Sequence, residues 1–189
     1  MLDDKPTELR YKDILPLRWE PLDETPRDAL RHNLNVGNEH LLNLLSTLEG
    51  GAGELSSEEE LAESKPLLAI DLKLRILLEM VGELLARDHP LPDATEVDLG
   101  TETVLWLESR ATPQEGREVL LELYFHPALP KPFRLLARIT AVHGESDGHR
   151  VSARLSGLSD ALVSGLEKLI FRHHRRQIAI RRQTHHDPF

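Results

Sequence analysis

The stretch KPLLAIDLKLRILLEMVGELL, residues 65–85, is the most apolar segment of the chain and decides which architecture the chain can adopt. It is long enough to cross a membrane, which takes roughly 20 apolar residues. However, each charged side chain near the centre of a bilayer costs about 2.5–3.5 kcal/mol. This stretch therefore predicts a helix that does not insert into a membrane, because it carries five charged side chains. They are Asp71, Lys73, Arg75, Glu79 and Glu83.

The apolar residues of this stretch follow the three–four spacing of a heptad repeat. The a, d and e positions are occupied by Leu67, Ile70, Leu74, Leu77, Leu78, Val81, Leu84 and Leu85. The resulting face is wider than the a/d seam of a two-stranded coiled coil, and a wide face suits a bundle of three, four or more helices. The pattern therefore favours association between chains over packing within one chain, which stays open as the alternative.

A second helix with the same spacing precedes this stretch. Thr25 and Pro26 are typical of a helix start, the glycine-rich residues 50–53 are typical of a helix end, and Pro66 predicts that the next helix starts near residue 65. We predict an inserted oligomerisation hairpin over residues 23–90. The first helix would add Leu34, Leu41, Leu44 and Leu48 to the interface between chains.

Composition and charge exclude several classes of function. The 189 residues include no cysteine, so disulfides, cysteine-ligated metals and a cysteine nucleophile are excluded. The acidic N-terminus lacks the features of a secretory signal, and we expect a cytoplasmic protein. The net charge is −9, which makes nucleic acid an unlikely partner. From residue 168 onward there are six Lys/Arg and one acid, about +5, so the rest carries about −14.

The chain contains no pattern that predicts an enzyme or a metal centre. It has no glycine-rich phosphate loop, nucleophile elbow or HExxH motif. The neighbouring histidines at 173–174 point about 100° apart on a helix. We therefore predict no catalytic residue and no metal ligand.

Strand patterns surround the helical insertion. The runs are Tyr11–Leu22, Thr103–Ser109, Arg117–Phe125, Phe133–Val142 and His149–Leu155. Asp147-Gly148 predicts a type I′ hairpin between the last two runs, and closure into a small barrel would protect the strand edges. A final helix follows with Ser159 as its N-cap. Its buried stripe is expected to contain Leu162, Leu166, Leu169, Ile170 and His173.

This order of elements, together with the phrases LPLRWEPL, VDLGTETVLWLES and LEKLIFRHHRRQ, resembles the PilZ domain family over residues 9–183. The two inserted helices are similar to those of its atypical, tetramer-forming branch. The resemblance implies an α+β fold in which residues 1–189 form one domain. That domain would be a small antiparallel β-barrel with a C-terminal helix and a pair of inserted helices that forms an intermolecular coiled-coil bundle.

PilZ receptors bind cyclic di-GMP through an RxxxR motif and a [D/N]xSxxG motif, and neither is intact in this chain. Arg10 is followed four residues later by isoleucine, and Arg18 by leucine. Asp98 matches the start of the second motif, but Gly100 stands at its serine and Thr103 at its glycine. We expect Arg10, Arg18 and Asp98 to be the remnants of a degenerate nucleotide site, and we expect no cofactor.

The resemblance implies a non-enzymatic signalling or adaptor protein in a cyclic di-GMP-related bacterial pathway, in motility, surface attachment or virulence. Its partners would be further copies of itself, as a tetramer, and other signalling proteins. One alternative is a cyclic di-GMP receptor with a non-standard site, which titration with that nucleotide would identify. Another is an oligomeric regulator whose basic tail binds nucleic acid, which salt-dependent DNA binding would identify.

Overall fold

The computed structural model describes residues 9–23, 28–50, 69–70, 72–74, 76–84, 87, 90–111, 113–126 and 129–184. Its strands and its first and last helices are β1 (Tyr11–Pro21), α1 (Asp28–Gly50), β2 (Ala94–Leu99), β3 (Thr103–Glu108), β4 (Glu118–Leu123), β5 (Phe133–Glu145), β6 (Gly148–Ser156) and α2 (Asp160–Thr184). Residues 69–70, 72–74 and 76–84 are also helical and are called the leucine segment.

The six strands form a closed antiparallel barrel in the order β1-β2-β3-β6-β5-β4. β1 closes it by pairing with two neighbours, β2 through residues 11–16 and β4 through residues 17–21. Pro16 lies where β1 changes partner, and its carbonyl oxygen accepts a hydrogen bond of 3.1 Å from the amide of Tyr124. A proline is tolerated there because it contributes no donor to a ladder. The predicted barrel is confirmed.

The core is aliphatic with two large aromatic side chains at its centre. Alternate residues of each strand point inward, so that Val119, Leu121 and Leu123 of β4 are fully buried while their neighbours are only half-buried. Trp106 and Phe133 are fully buried between the strands. This period of two is the pattern expected for strands with one face on a core.

Helix α2 covers the barrel with the stripe that the sequence predicts. Ser159 Oγ accepts a hydrogen bond of 3.1 Å from the amide of Leu162, which confirms Ser159 as the N-cap. The side chains of Leu162, Leu166, Leu169 and Ile170 are buried. His173 continues the stripe as a half-buried ring that stacks on Tyr11, with 3.8 Å between ring centroids.

The β5–β6 hairpin is confirmed, but its predicted turn type is wrong. Glu145 pairs with Gly148, so Ser146 and Asp147 are the two loop residues. Neither has a positive φ, whereas a type I′ turn requires it at both. The positive φ of 145° falls on Gly148 instead. A Cβ at Gly148 would also overlap the carbonyl group of Glu108, so glycine is required there for two reasons.

Helix α1 is part of the core rather than only an inserted arm. Leu41, Leu42 and Leu45 are buried in the same cluster as the barrel residues. Asn38 exchanges hydrogen bonds of 2.6 and 2.9 Å with the backbone of Arg134 at the start of β5. The prediction that Leu41 contacts another chain is therefore corrected, because the chain's own core already covers its side chain.

The two long helices α1 and α2 run side by side in the same direction. Asn35 donates to the carbonyl of Gly157 at 2.9 Å, and eleven residues later Ser46 accepts from Arg172 Nη1 at 2.6 Å. Between these contacts Leu42 packs on Gly165, where a Cβ would lie 2.7 Å from Leu42 Cδ1. The contacts advance together along both helices, which is possible only for a parallel pair.

Candidate functional site

The leucine segment presents its apolar side chains to solvent in a single chain. The described residues of the predicted interface are between 40% and 60% exposed: Ile70, Leu74, Leu77, Leu78, Val81 and Leu84. Leu67 and Leu85 lie outside the described residues. Burying a leucine stabilises a structure by about 1.5–3 kcal/mol, and exposed apolar patches of this kind mark interaction sites. The leucine segment is therefore a candidate surface for contact with another protein.

A second group of exposed apolar residues lies on another side of the same helix. Leu72, Ile76 and Met80 are spaced four residues apart and are 48–58% exposed. Met80 occupies a g position of the heptad repeat, beside the predicted face, whereas Leu72 and Ile76 were not predicted. The regular four-residue spacing was the signal that could have found them.

Helix α1 contributes an apolar edge next to the face that it packs into the core. Leu44 is 36% exposed, and Leu34 and Leu48 are half-buried. Gly37 lies between them with open space where a Cβ would be. Three of the four predicted α1 interface residues thus remain accessible, and they form a narrow seam beside the core.

The candidate nucleotide residues Arg10 and Asp98 lie together, but they bind each other. Arg10 Nε and Asp98 Oδ1 form an ion pair with side chains that are 18% and 25% exposed. Arg10 Nη1 donates to Thr103 Oγ1 at 2.9 Å, and Nη2 donates to the carbonyls of Asp98 and Thr103 at 3.0 and 3.2 Å. Thr103, which stands at the glycine of the binding motif, therefore supplies two acceptors. The guanidinium group closes the β2–β3 turn.

Arg18 lies apart from this cluster, beyond the point where β1 changes partner. Its Nη1 is 4.0 Å from Glu122 Oε2, and Arg134 Nε donates to the other carboxylate oxygen at 2.9 Å. Tyr124 lies beside them, and its pKa is raised by burial and by the charge of Glu122. These four residues line a cavity of about 500 Å³ whose other walls are Pro90, Leu91, Pro130 and Pro132.

The contacts of Arg10 lead to a prediction about stability. Arg10→Ala should lower the free energy of unfolding by about 1.5–3 kcal/mol, because it removes charge-assisted hydrogen bonds to groups that are mostly shielded from water. Arg18→Ala is the matched control and should cost less than about 1 kcal/mol, since its ion pair is long and half-exposed. Urea unfolding followed by circular dichroism measures both changes. Equal losses for the two variants would contradict a structural role that is specific to Arg10.

Two negative observations apply to the part of the chain that the structure describes. Within it, no three His, Cys, Asp or Glu side chains are grouped so that they could hold a metal ion. None of its helices combines the length and the apolar character needed to span a bilayer.

Comparison with known proteins places the chain among PilZ domains. Residues 42–183 match the family described as atypical PilZ domain, cyclic di-GMP receptor. A solved structure of a pathogenic protein from Xanthomonas campestris is 25% identical, with a TM-score of 0.71 over 93% of each chain. That protein is described as a new tetrameric PilZ domain, self-assembled via an unusual helical bundle. No curated protein matches the chain.

Proposed function

The chain belongs to the family of atypical PilZ domains, and from that membership we propose that it is a non-enzymatic signalling or adaptor protein that assembles through its helical insertion. The assembly is a tetramer held by the leucine segment and by the exposed edge of α1. Residues 1–189 form one domain, with the insertion over residues 23–90. The proposal includes a cytoplasmic location and a role in motility, surface attachment or virulence, which the family resemblance implies.

The observation that carries this proposal is the exposure of nine apolar side chains on the leucine segment. Contact of such an apolar surface with water is unfavourable. Association of identical surfaces buries the same residues in every chain. The Xanthomonas campestris protein, described as a tetramer assembled via a helical bundle, supports the same mode of assembly here.

Measurement of the mass in solution tests the assembly. Native mass spectrometry of the purified chain should give a species of four copies of the 21.4 kDa chain. The mass should persist in high salt, because burial of apolar surface rather than charge pairing holds the chains together. A single-chain mass at micromolar concentration would contradict the proposal.

We further propose that the chain does not bind cyclic di-GMP through the standard motifs. The support is the Arg10 guanidinium, which is occupied by Asp98 and Thr103 instead of facing a phosphate group. Calorimetric titration with cyclic di-GMP at micromolar concentration should give no binding heat. If a signal appears and is abolished by Arg10→Ala, the standard region binds after all.

A second candidate function is that of a cyclic di-GMP receptor with a non-standard site. Two observations favour it: the receptor description of the family and the cavity between Arg18 and Arg134. Guanidinium forks bind phosphate groups well. In this case the titration would give binding heat that Arg134→Ala abolishes and Arg10→Ala leaves intact.

A further inference from the structure

The C-terminal half of α2 carries a face on which apolar and basic side chains alternate. Phe171, Arg175, Ile178 and Arg182 are spaced four, three and four residues apart, so they lie on one side of the helix, roughly opposite the buried stripe. Phe171 is 50% and Ile178 is 36% exposed, and both arginines are exposed. These four residues, which we call the outward face, extend over about 17 Å of helix.

The outward face lies in a part of the chain without acidic residues. Residues 168–184 contain six lysines and arginines and no aspartate or glutamate, and Glu167 is the last acid before them. Within the described residues, neither Arg175 nor Arg182 forms an ion pair with a carboxylate. The guanidinium carbon of Arg175 lies instead 5.9 Å from the centre of the Phe171 ring. The positive charge of this face is therefore available to an anionic partner.

The neighbouring elements do not neutralise the outward face. α1 lies beside α2, where Ser46 accepts a hydrogen bond of 2.6 Å from Arg172, and residues 41–48 of α1 carry no charge. The acidic side chains of the barrel lie on the other side of α2, and a helix is about 10 Å thick. This thickness is about one Debye length at physiological salt, so the repulsion between the barrel and an anionic surface is strongly screened.

The combination of exposed apolar and basic side chains matches the chemistry of a membrane surface. An interfacial helix lies in the plane of the bilayer, buries its apolar side chains at the headgroup boundary and attracts anionic lipids with its basic ones. Guanidinium groups bind phosphate oxygens through paired hydrogen bonds. The convex side of a helix, unlike a groove, suits a fluid headgroup layer better than a folded protein partner.

We propose that the outward face of α2 docks on the surface of an anionic phospholipid membrane. Phe171 and Ile178 enter the headgroup region, and Arg175 and Arg182 bind lipid phosphates. The helix lies on the bilayer and does not cross it. So few contacts give weak and reversible binding, which several linked copies would strengthen. The docking goes beyond the signalling role proposed above and rests on α2 alone, so it does not depend on how the chains associate.

Co-sedimentation of the full-length protein with lipid vesicles tests the docking. Vesicles in which about one third of the phosphatidylcholine is replaced by phosphatidylglycerol should bind the protein, whereas vesicles of phosphatidylcholine alone should not. Binding should weaken several-fold when the salt concentration is raised well above the physiological level, because the attraction between exposed charges is screened. Failure of the wild-type protein to bind the anionic vesicles, or equal binding to both kinds, overturns the proposal.

Removing charges locates the contact on the protein. Arg175→Gln with Arg182→Gln should weaken vesicle binding about 25-fold, because each basic residue near an anionic surface changes the binding constant about five-fold. The matched control, Lys131→Gln with Arg154→Gln, removes two exposed charges outside α2 and should change binding less than about two-fold. Glu167→Gln, at the edge of the face, should strengthen binding. If the first double variant binds as well as the control, the proposal is wrong.

The apolar part of the contact is tested separately. Phe171→Ser with Ile178→Ser should weaken binding about ten-fold, because less apolar surface is removed from water. Phe171→Trp should shift its fluorescence to shorter wavelength when anionic vesicles are added, and the fully buried Trp106 contributes a constant background. An emission shift that appears with rising protein concentration and without vesicles would assign the face to a second copy of the chain and would overturn membrane docking.

Discussion

Replacing both Leu74 and Leu77 with aspartate should separate the proposed tetramer into single chains whose barrels remain folded. Both side chains are more than half exposed in one chain, so the substitutions leave its buried core unchanged. In the assembly they would place two unpaired carboxylates per chain in an apolar interface, where each costs several kcal/mol. In a symmetric assembly, every chain would contribute the same penalty. Native mass spectrometry should show the single-chain mass, and circular dichroism should keep the strand signal.

The matched control places aspartates at two charged positions of the same helix. Lys73→Asp with Glu79→Asp introduces the same side chains outside the heptad face and should leave the mass unchanged. If Leu74→Asp with Leu77→Asp also retained the wild-type mass, the heptad face would pack within one chain. The insertion would then extend the core and would not assemble chains.

The second large effect is expected at α1, where Leu41 is buried in the core and Leu44 is accessible. Leu41→Ala should lower the free energy of unfolding of the single chain by about 2–5 kcal/mol, because it leaves a cavity in the core. Leu44→Ala should lower it by less than about 1 kcal/mol, since Leu44 is 36% exposed whereas Leu41 is 2% exposed. Urea unfolding in the Leu74→Asp, Leu77→Asp background measures both without a contribution from assembly.

The ranking of the two substitutions should be reversed for the association of chains. With Leu74 and Leu77 intact, Leu44→Ala should weaken the association more than Leu41→Ala, because Leu44 lies on the accessible seam of α1. If Leu44→Ala destabilised the dissociated chain as strongly as Leu41→Ala, the seam would belong to the core, and our division of α1 into two faces would be wrong.

The strands were predictable where apolar side chains alternate, and β2 was missed because it is mostly polar. Only Val97 and Leu99 of its residues are buried, while Thr95, Glu96 and Asp98 give the run the composition of a loop. β2 forms because β1 and β3 supply backbone partners on both sides. Tertiary pairing of this kind overrides local propensity and is not visible in a single run of residues.

The heptad spacing of α1 predicted a helix correctly but could not tell which neighbour covers each leucine. Leu41 and Leu44 belong to the same seam in the sequence, yet α2 and β5 pack against one side of the helix and leave the other side accessible. Periodicity identifies an apolar face, and the three-dimensional arrangement decides whether the same chain or another one covers it.

The loss of the nucleotide-binding motifs was predictable from the sequence, but the contacts that Arg10 makes in their place were not. The sequence shows that the motifs are broken, and it gives no sign that Thr103 supplies acceptors to Arg10. That contact depends on the β2–β3 turn bringing residues 98 and 103 to the start of β1. Arg10 and Arg18 likewise have different neighbours because β1 changes partner at Pro16.

The double pairing of β1 has a consequence for the order in which the chain folds. Pro16 of β1 pairs with Ala94 of β2, and the segment over residues 23–90 separates the two strands in the sequence. During synthesis, β1 therefore has no partner strand until the whole segment before β2 has been made. Closing a loop twice as long costs only about 0.6 kcal/mol more, so the free energy of pairing β1 with β2 depends only weakly on the length of the segment between them. The length of that segment can therefore change while the register of β1 with β2 is kept.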